Sequence, residues 1–153
     1  MRRDKAIKYF QLAQYQANLF SKDASTKVGS ILLAPTSLQI LSCGYNGFPR
    51  GVDETKQDRW ERPTKYLYTE HAERNAVYNA CRQGTPLEKS IAVVTMFPCH
   101  DCARALIQVG VSTLVTRKPD FNNARWGESF KTSMEMFQEV GMQMVLLDDA
   151  EVS

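Results

Sequence analysis

Apolar side chains near the start of the chain recur at three- and four-residue spacing: Ile7, Phe10, Ala13, Ala17 and Phe20. That period predicts an amphipathic helix over 4–20. The pattern then changes. "VGSILLA" (28–34) and "LQILSCGYN" (38–46) are short apolar runs separated by "PTS". They predict two strands joined by a turn, an antiparallel hairpin. Residues 47–67 are polar and rich in turn formers, and predict a long loop with at most a helical turn. Loops of that length inside a compact domain are often functional.

Helix and strand patterns alternate after that. A helix is predicted over 71–83, stopping near Gly84, followed by a buried strand, "SIAVVTM" (90–96). A helix from Cys99 to Val109 ends at Gly110, and "STLVT" (112–116) is a short strand. Residues 126–140 predict a helix ended by Gly141, and "MQMVLLD" (142–148) a last strand. Strands separated by single helices favour parallel neighbours and right-handed crossovers. The expected fold is a three-layer α/β/α domain with a mixed five-stranded sheet, one domain over 1–153. No repeat or low-complexity segment interrupts it.

Composition narrows the class. No run of 18 apolar residues is present, so no membrane span is expected. "MRRDKAIKYFQLAQ" has no apolar core ahead of a small-residue cleavage site. The expected location is the cytoplasm. A formal charge of +2 and the acidic tail "DDAEVS" argue against nucleic acid as partner. The four cysteines are not expected to form a disulfide framework. Cys43 and Cys81, isolated in apolar segments, are expected to be small buried hydrophobes.

The chemistry sits in two short stretches. "HAERNA" (71–76) places a histidine and a glutamate two residues apart, and "MFPCHDC" (96–102) supplies a Cys-x-x-Cys pair after a proline. Proline favours a helix start, so both thiolates fall in a first turn, against free N–H groups and the positive helix end. His71, Cys99 and Cys102 then make three zinc ligands. Three protein ligands with an open position is the catalytic pattern for zinc; structural sites take four. His100, between the cysteines, is expected to point outward. Zinc lowers the pKa of a bound water to about 7, and Glu73 is placed to carry its proton. The combination H-x-E…P-C-x-x-C is the signature of zinc deaminases that act on nucleobases.

"SKDASTKVGSIL", "SCGYNGFPRGV", "KYLYTEHAERNA" and "MFPCHDCARALIQVGV", in that order, resemble four blocks of the deoxycytidylate (dCMP) deaminase family within the cytidine deaminase superfamily. The resemblance covers residues 18–116. It implies hydrolytic loss of the 4-amino group of dCMP, giving dUMP and ammonia. Glu73 would take the water's proton, protonate N3 of the ring and help ammonia leave. Asn46 would contact the sugar or base. Ser21, Lys22, Thr26 and Lys27 would contact the nucleotide, chiefly its phosphate. The resemblance also implies a homo-oligomer, dimer or hexamer, and regulation by dCTP and dTTP with Mg2+ near the "GYNG" loop.

Three features depart from better-known members. Residues 51–68 contain no cysteine or histidine, so one zinc per chain is expected where some viral members carry two. Arg74 stands where an apolar residue is common. "RKPDFNNARWGESF" (117–130) matches no block of the family. Phe121, Arg125 and Trp126 are candidates there to line the pocket, through stacking or phosphate contacts. The same zinc chemistry would serve another free base, nucleoside or nucleotide, such as guanine, cytidine or dCTP. Editing within RNA or DNA would favour a basic, strand-tracking groove, and the chain has no basic C-terminal helix. A zinc-stabilised module without activity would need a fourth protein ligand.

Overall fold

The computed structural model describes residues 1–153. Helix α1 spans Arg3–Phe20 and buries Ala6, Phe10, Ala13 and Ala17. Its buried face is therefore turned slightly from the expected stripe. Phe20 is exposed and stacks on Tyr45 at 5.7 Å between ring centroids. Strands β1 (Gly29–Leu33) and β2 (Ile40–Tyr45) form the expected antiparallel hairpin, with a register shift at Leu32/Leu33. Then come α2 (Lys65–Tyr68), α3 (Ala72–Gln83), β3 (Ile91–Val94), α4 (His100–Gln108) and β4 (Thr113–Arg117). Helix α5 (Gly127–Glu139), β5 (Gln143–Leu147) and a short α6 (Asp149–Val152) complete the chain. The sequence pattern holds no sign of α6, whose start is closed by a reciprocal cap between Asp148 and Glu151.

The sheet order is β2-β1-β3-β4-β5. Strands β3, β4 and β5 are parallel neighbours, while β1 is antiparallel to both β2 and β3. Alternation of strand and helix predicts β3 beside β2, and the structure corrects this. The crossover through α3 passes over β1, and β2 becomes an edge. Alternation along the strands builds two cores. Leu32, Ala92, Val94 and Leu114 face α3, α4 and α5. Ile31, Leu33, Ile91, Val93 and Val115 face α1. This is the expected three-layer α/β/α arrangement with a mixed five-stranded sheet.

The long polar segment is not loose. Gly47 and Glu70 exchange backbone hydrogen bonds of 3.1 and 2.8 Å, pinning its two ends together. Between them lie a 3-10 turn (Gln57–Trp60) and α2. Phe48 stacks on Trp60 with centroids 4.0 Å apart.

Helix α3 lies so close to β2 that one position admits no side chain. A Cβ on Gly44 would stand 2.4 Å from the backbone nitrogen of Ala76 and 2.5 Å from the carbonyl oxygen of Ala72. Both are backbone atoms of the helix that carries Glu73, so neither can swing aside. Gly44→Ala is expected to cost about 3 kcal/mol, at the upper end for overpacking. Urea unfolding measures it. A cost near zero would show that α3 shifts freely.

Candidate active site

Three helix starts converge on one cavity at the C-terminal edge of β3. His71 is the residue before α3, with extended backbone (φ −80°, ψ 152°). Cys99 holds the same place before α4, and Cys102 lies buried in that helix's first turn. The donor atoms of His71, Cys99 and Cys102 lie within 4.8 Å of one another. His71 Nδ1 is 3.5 Å from each sulfur. Ordinary Zn–N and Zn–S bonds at a tetrahedral angle put nitrogen and sulfur about 3.6 Å apart. The donor set and its spacing therefore fit zinc, through Nδ1 of the histidine.

The charges of these groups are coupled. The hydrogen bond from Cys102 holds the Cys99 thiol down to about 4. The same bond, together with burial, pushes Cys102 up. A metal takes both sulfurs as thiolates, so its binding would displace the thiol proton. Burial pulls His71 down most strongly, but Cys99 and the Glu73 carboxylate outweigh it, and the net shift is upward.

Arg74 has a structural reason for departing from an apolar side chain. Its Nε donates to Glu70 Oε1 at 2.7 Å, and its Nη1 lies 3.5 Å from Cys102 Sγ. Glu70 Oε1 also accepts the His71 backbone N–H at 2.9 Å. A cation and a carboxylate thus brace two of the three donors.

His100 points away from the donors, as expected. Its Nδ1 lies 2.7 Å from Ser129 Oγ, on α5.

The cavity holds about 310 Å³, within the range of small-molecule sites. His71, Cys99, Glu73, Asn46, Thr26 and Trp126 all line it. Glu73 is 4% exposed, and burial pushes its carboxyl above the usual range. A carboxyl raised in this way is suited to moving protons near neutral pH. Trp126 precedes α5 and sets its ring edge-on to His71, centroids 5.7 Å apart.

Other expected contacts lie elsewhere. Ser21 is buried behind the cavity wall, and its hydroxyl reaches the backbone carbonyl and Oδ1 of Asn46, each at 2.9 Å. Asn46 Oδ1 also accepts the Val28 N–H, and Nδ2 donates to the Thr26 carbonyl, both at 2.9 Å. Only one amide hydrogen of Asn46 remains for a ligand. Lys22 is exposed and paired with Glu54. Lys27 lines a neighbouring groove, its Nζ 3.3 Å from the Asn18 carbonyl. Phe121 is exposed and is not part of the cavity wall. Cys43 is half-buried and Cys81 exposed, so neither is the buried hydrophobe expected. Cys81 falls near the end of α3, on its outer side.

Several cavity residues carry no signal in the sequence. Asp23 and Lys65 are both about 4% exposed and form an ion pair at 2.8 Å. Their separation along the chain gives no spacing to read. Tyr66, on the short α2, and Arg62 and Asn123, from irregular segments, also line the cavity, where residue type alone says little about orientation.

The model of the cytidine and deoxycytidylate deaminase zinc-binding region matches residues 3–118, which include His71, Glu73, Cys99 and Cys102. The chain belongs to that family. This deaminase is 40% identical over 144 residues to an uncharacterized deaminase in the luxG 3′ region of Aliivibrio fischeri, covering 93% of this chain and 92% of that one. It is 37% identical over 142 residues to a probable deoxycytidylate deaminase of Caenorhabditis elegans, covering 88% and 68%. In fold it resembles the dCMP deaminase of cyanophage S-TIM5, crystallised with dCMP and dUMP. The TM-score is 0.76 at 24% identity, over 96% of this deaminase and 99% of that chain. No helix of the deaminase is long and apolar enough to cross a membrane.

Proposed function

We propose that this deaminase removes the 4-amino group of dCMP by hydrolysis, giving dUMP and ammonia. One observation carries the reading. Glu73, buried and with a raised pKa, lines the same cavity as His71 and Cys99, which cluster with Cys102 as metal donors would. The relatives named for deoxycytidylate support the choice of base. Zinc, when held by His71, Cys99 and Cys102, supplies the Lewis acid that makes water a nucleophile at neutral pH. Glu73 takes the proton that water gives up and delivers it to N3 of the ring. It then moves the remaining proton, from the hydroxyl added at C4, to the amine as the C4–N bond breaks and the C4 carbonyl forms. Burial raises the pKa of this carboxyl, and a general acid–base is most effective when its pKa is brought toward the working pH. Asn46 offers its free amide hydrogen to the sugar or base, and Trp126 closes the wall beside His71.

On this reading residues 1–153 work as one domain, holding one zinc. The enzyme acts in the cytoplasm, where free thiols such as Cys81 persist. It assembles as a homo-oligomer, and exposed Leu12, Tyr15 and Leu19 on α1 suit such a contact. Regulation by dCTP and dTTP with Mg2+ rests on the resemblance of the 42–52 segment alone.

The test is turnover by zinc-loaded protein on dCMP, dCTP, deoxycytidine, CMP, adenosine nucleotides and guanine, with and without dCTP or dTTP. Ammonia release is expected to be fastest from dCMP. Fastest release from another member, with dCMP inert, would overturn the substrate and keep the zinc chemistry.

A further inference from the structure

We infer that Arg62 and Arg125 form the phosphate-recognition pair of this deaminase, selecting nucleoside monophosphates over nucleosides; the inference rests on the nucleotide reading above. Three cationic side chains of Lys or Arg line the cavity: Arg62, Lys65 and Arg125. Lys65 is already spent. Its Nζ donates to Asp23 Oδ2 at 2.8 Å and to Ser25 Oγ at 2.7 Å, in a buried position. Its charge is cancelled within the wall. The lysines closer to the end of α1, Lys22 and Lys27, do not line the cavity.

Arg62 and Arg125 differ from all of these. Neither is in an ion pair. The Arg62 guanidinium has only a long 3.5 Å contact with Ser25 Oγ. Arg125 places its guanidinium carbon 3.2 Å from the centre of the Tyr66 ring and 4.8 Å from that of Trp126. Stacking occupies the faces of a guanidinium and leaves its in-plane N–H donors free. Those donors have no side-chain or backbone acceptor in the structure. Arg125 is thus held in place by aromatic faces while its hydrogen-bonding edge is unspent. A fork of this kind suits a phosphate oxygen pair.

The placement also suits the chemistry. Both arginines are exposed at the mouth, whereas Glu73 and Cys99 lie in its buried wall beside the half-buried His71. A nucleotide has its reacting base at one end and its phosphate at the other. The base would enter first, and the dianion would stop at the two free cations. Tyr66 and Trp126, which hold Arg125, belong to the two segments least legible in the sequence. The 117–127 segment then serves to carry the cation that reads the phosphate.

The experiment compares kcat/KM for dCMP with that for deoxycytidine, in wild type, Arg62→Ala, Arg125→Ala, Arg125→Lys and Lys27→Ala. Each Arg→Ala is expected to lower the dCMP-to-deoxycytidine ratio about tenfold or more, mainly through KM. Arg125→Lys should recover part of the loss as a point charge, and Lys27→Ala should leave the ratio in place. Equal losses on both substrates would mean a structural role for that arginine and would overturn the proposal. So would a ratio that changes in Lys27→Ala alone, or a wild type that treats nucleotide and nucleoside alike. The substrate reading fails separately. If dCMP is inert, the same ratio is measured for the monophosphate and nucleoside of whichever base is turned over. A ratio that collapses in the arginine variants supports the pair whatever the base; one that does not collapse overturns it.

Discussion

Glu73→Gln is expected to lower kcat on dCMP by about 10⁴-fold, at the upper end for a lost general acid–base group. That is about 5.5 kcal/mol of transition-state stabilisation. Glutamine keeps the volume of the side chain and removes its proton. In the proposed site His71, Cys99 and Cys102 hold the metal without Glu73, so zinc content should equal that of the wild type. The fold should not suffer either. Glu73 is buried, and burial raises its pKa because the ionised form is disfavoured there. A neutral amide avoids that cost, so Tm is expected to hold or rise. Metal analysis by mass spectrometry, turnover and thermal melting together test the role. Zinc-loaded Glu73→Gln within tenfold of wild-type kcat would sink it. Loss of zinc along with activity would instead make Glu73 part of the metal's support.

Lys65→Met is expected to destabilise the protein by about 3–5 kcal/mol at pH 7, because it leaves one charge of a buried pair unpaired. Lys65 and Asp23 have side chains only 4% and 5% exposed. The pair also joins α2 to the segment after α1, closing one side of the cavity. Replacing both partners, Asp23→Leu with Lys65→Met, should recover much of the loss, since a well-packed apolar pair often matches a buried ionic one. The pH dependence has a definite sign. Burial acts most strongly on Asp23 and raises its pKa, but the Lys65 hydrogen bond and the Ser25 and Thr26 donors outweigh it. The folded-state pKa is therefore below the unfolded value of about 3.9. Its contribution is full above that value and is lost as the pH falls through the lower, folded-state pKa. In Lys65→Met the penalty of a bare carboxylate also vanishes once Asp23 is protonated. The gap between wild type and variant should be widest near neutrality and narrow below about pH 4. Urea unfolding across that range measures it. A gap independent of pH would assign the effect to packing of the lysine stem.

Much of this molecule was determined by local sequence. The period-2 and period-3.6 patterns placed five strands and the four long helices, because each element buries one face. Ile91 and Val93 face one core while Ala92 and Val94 face the other, as alternation requires. The clustering of His71, Cys99 and Cys102, with Glu73 in the same cavity, was legible because metal chemistry restricts both residue type and spacing, and because each residue sits at or near a helix start. The element pattern also implied a mixed sheet.

Tertiary structure decided the rest. Strand order was open to it, since nothing local tells a crossover whether to pass over β1. It set Phe20 and Cys81 outside, where residue type had suggested burial, because exposure depends on what packs opposite. It also sorted the cations. Lys22, Lys27, Lys65, Arg62 and Arg125 look alike as residue types, yet one is paired to Glu54, one lies in a neighbouring groove and one is neutralised by Asp23. Only Arg62 and Arg125 keep free charge at the cavity. That distinction arises from partners distant in the chain, brought together by folding and invisible to any spacing along it.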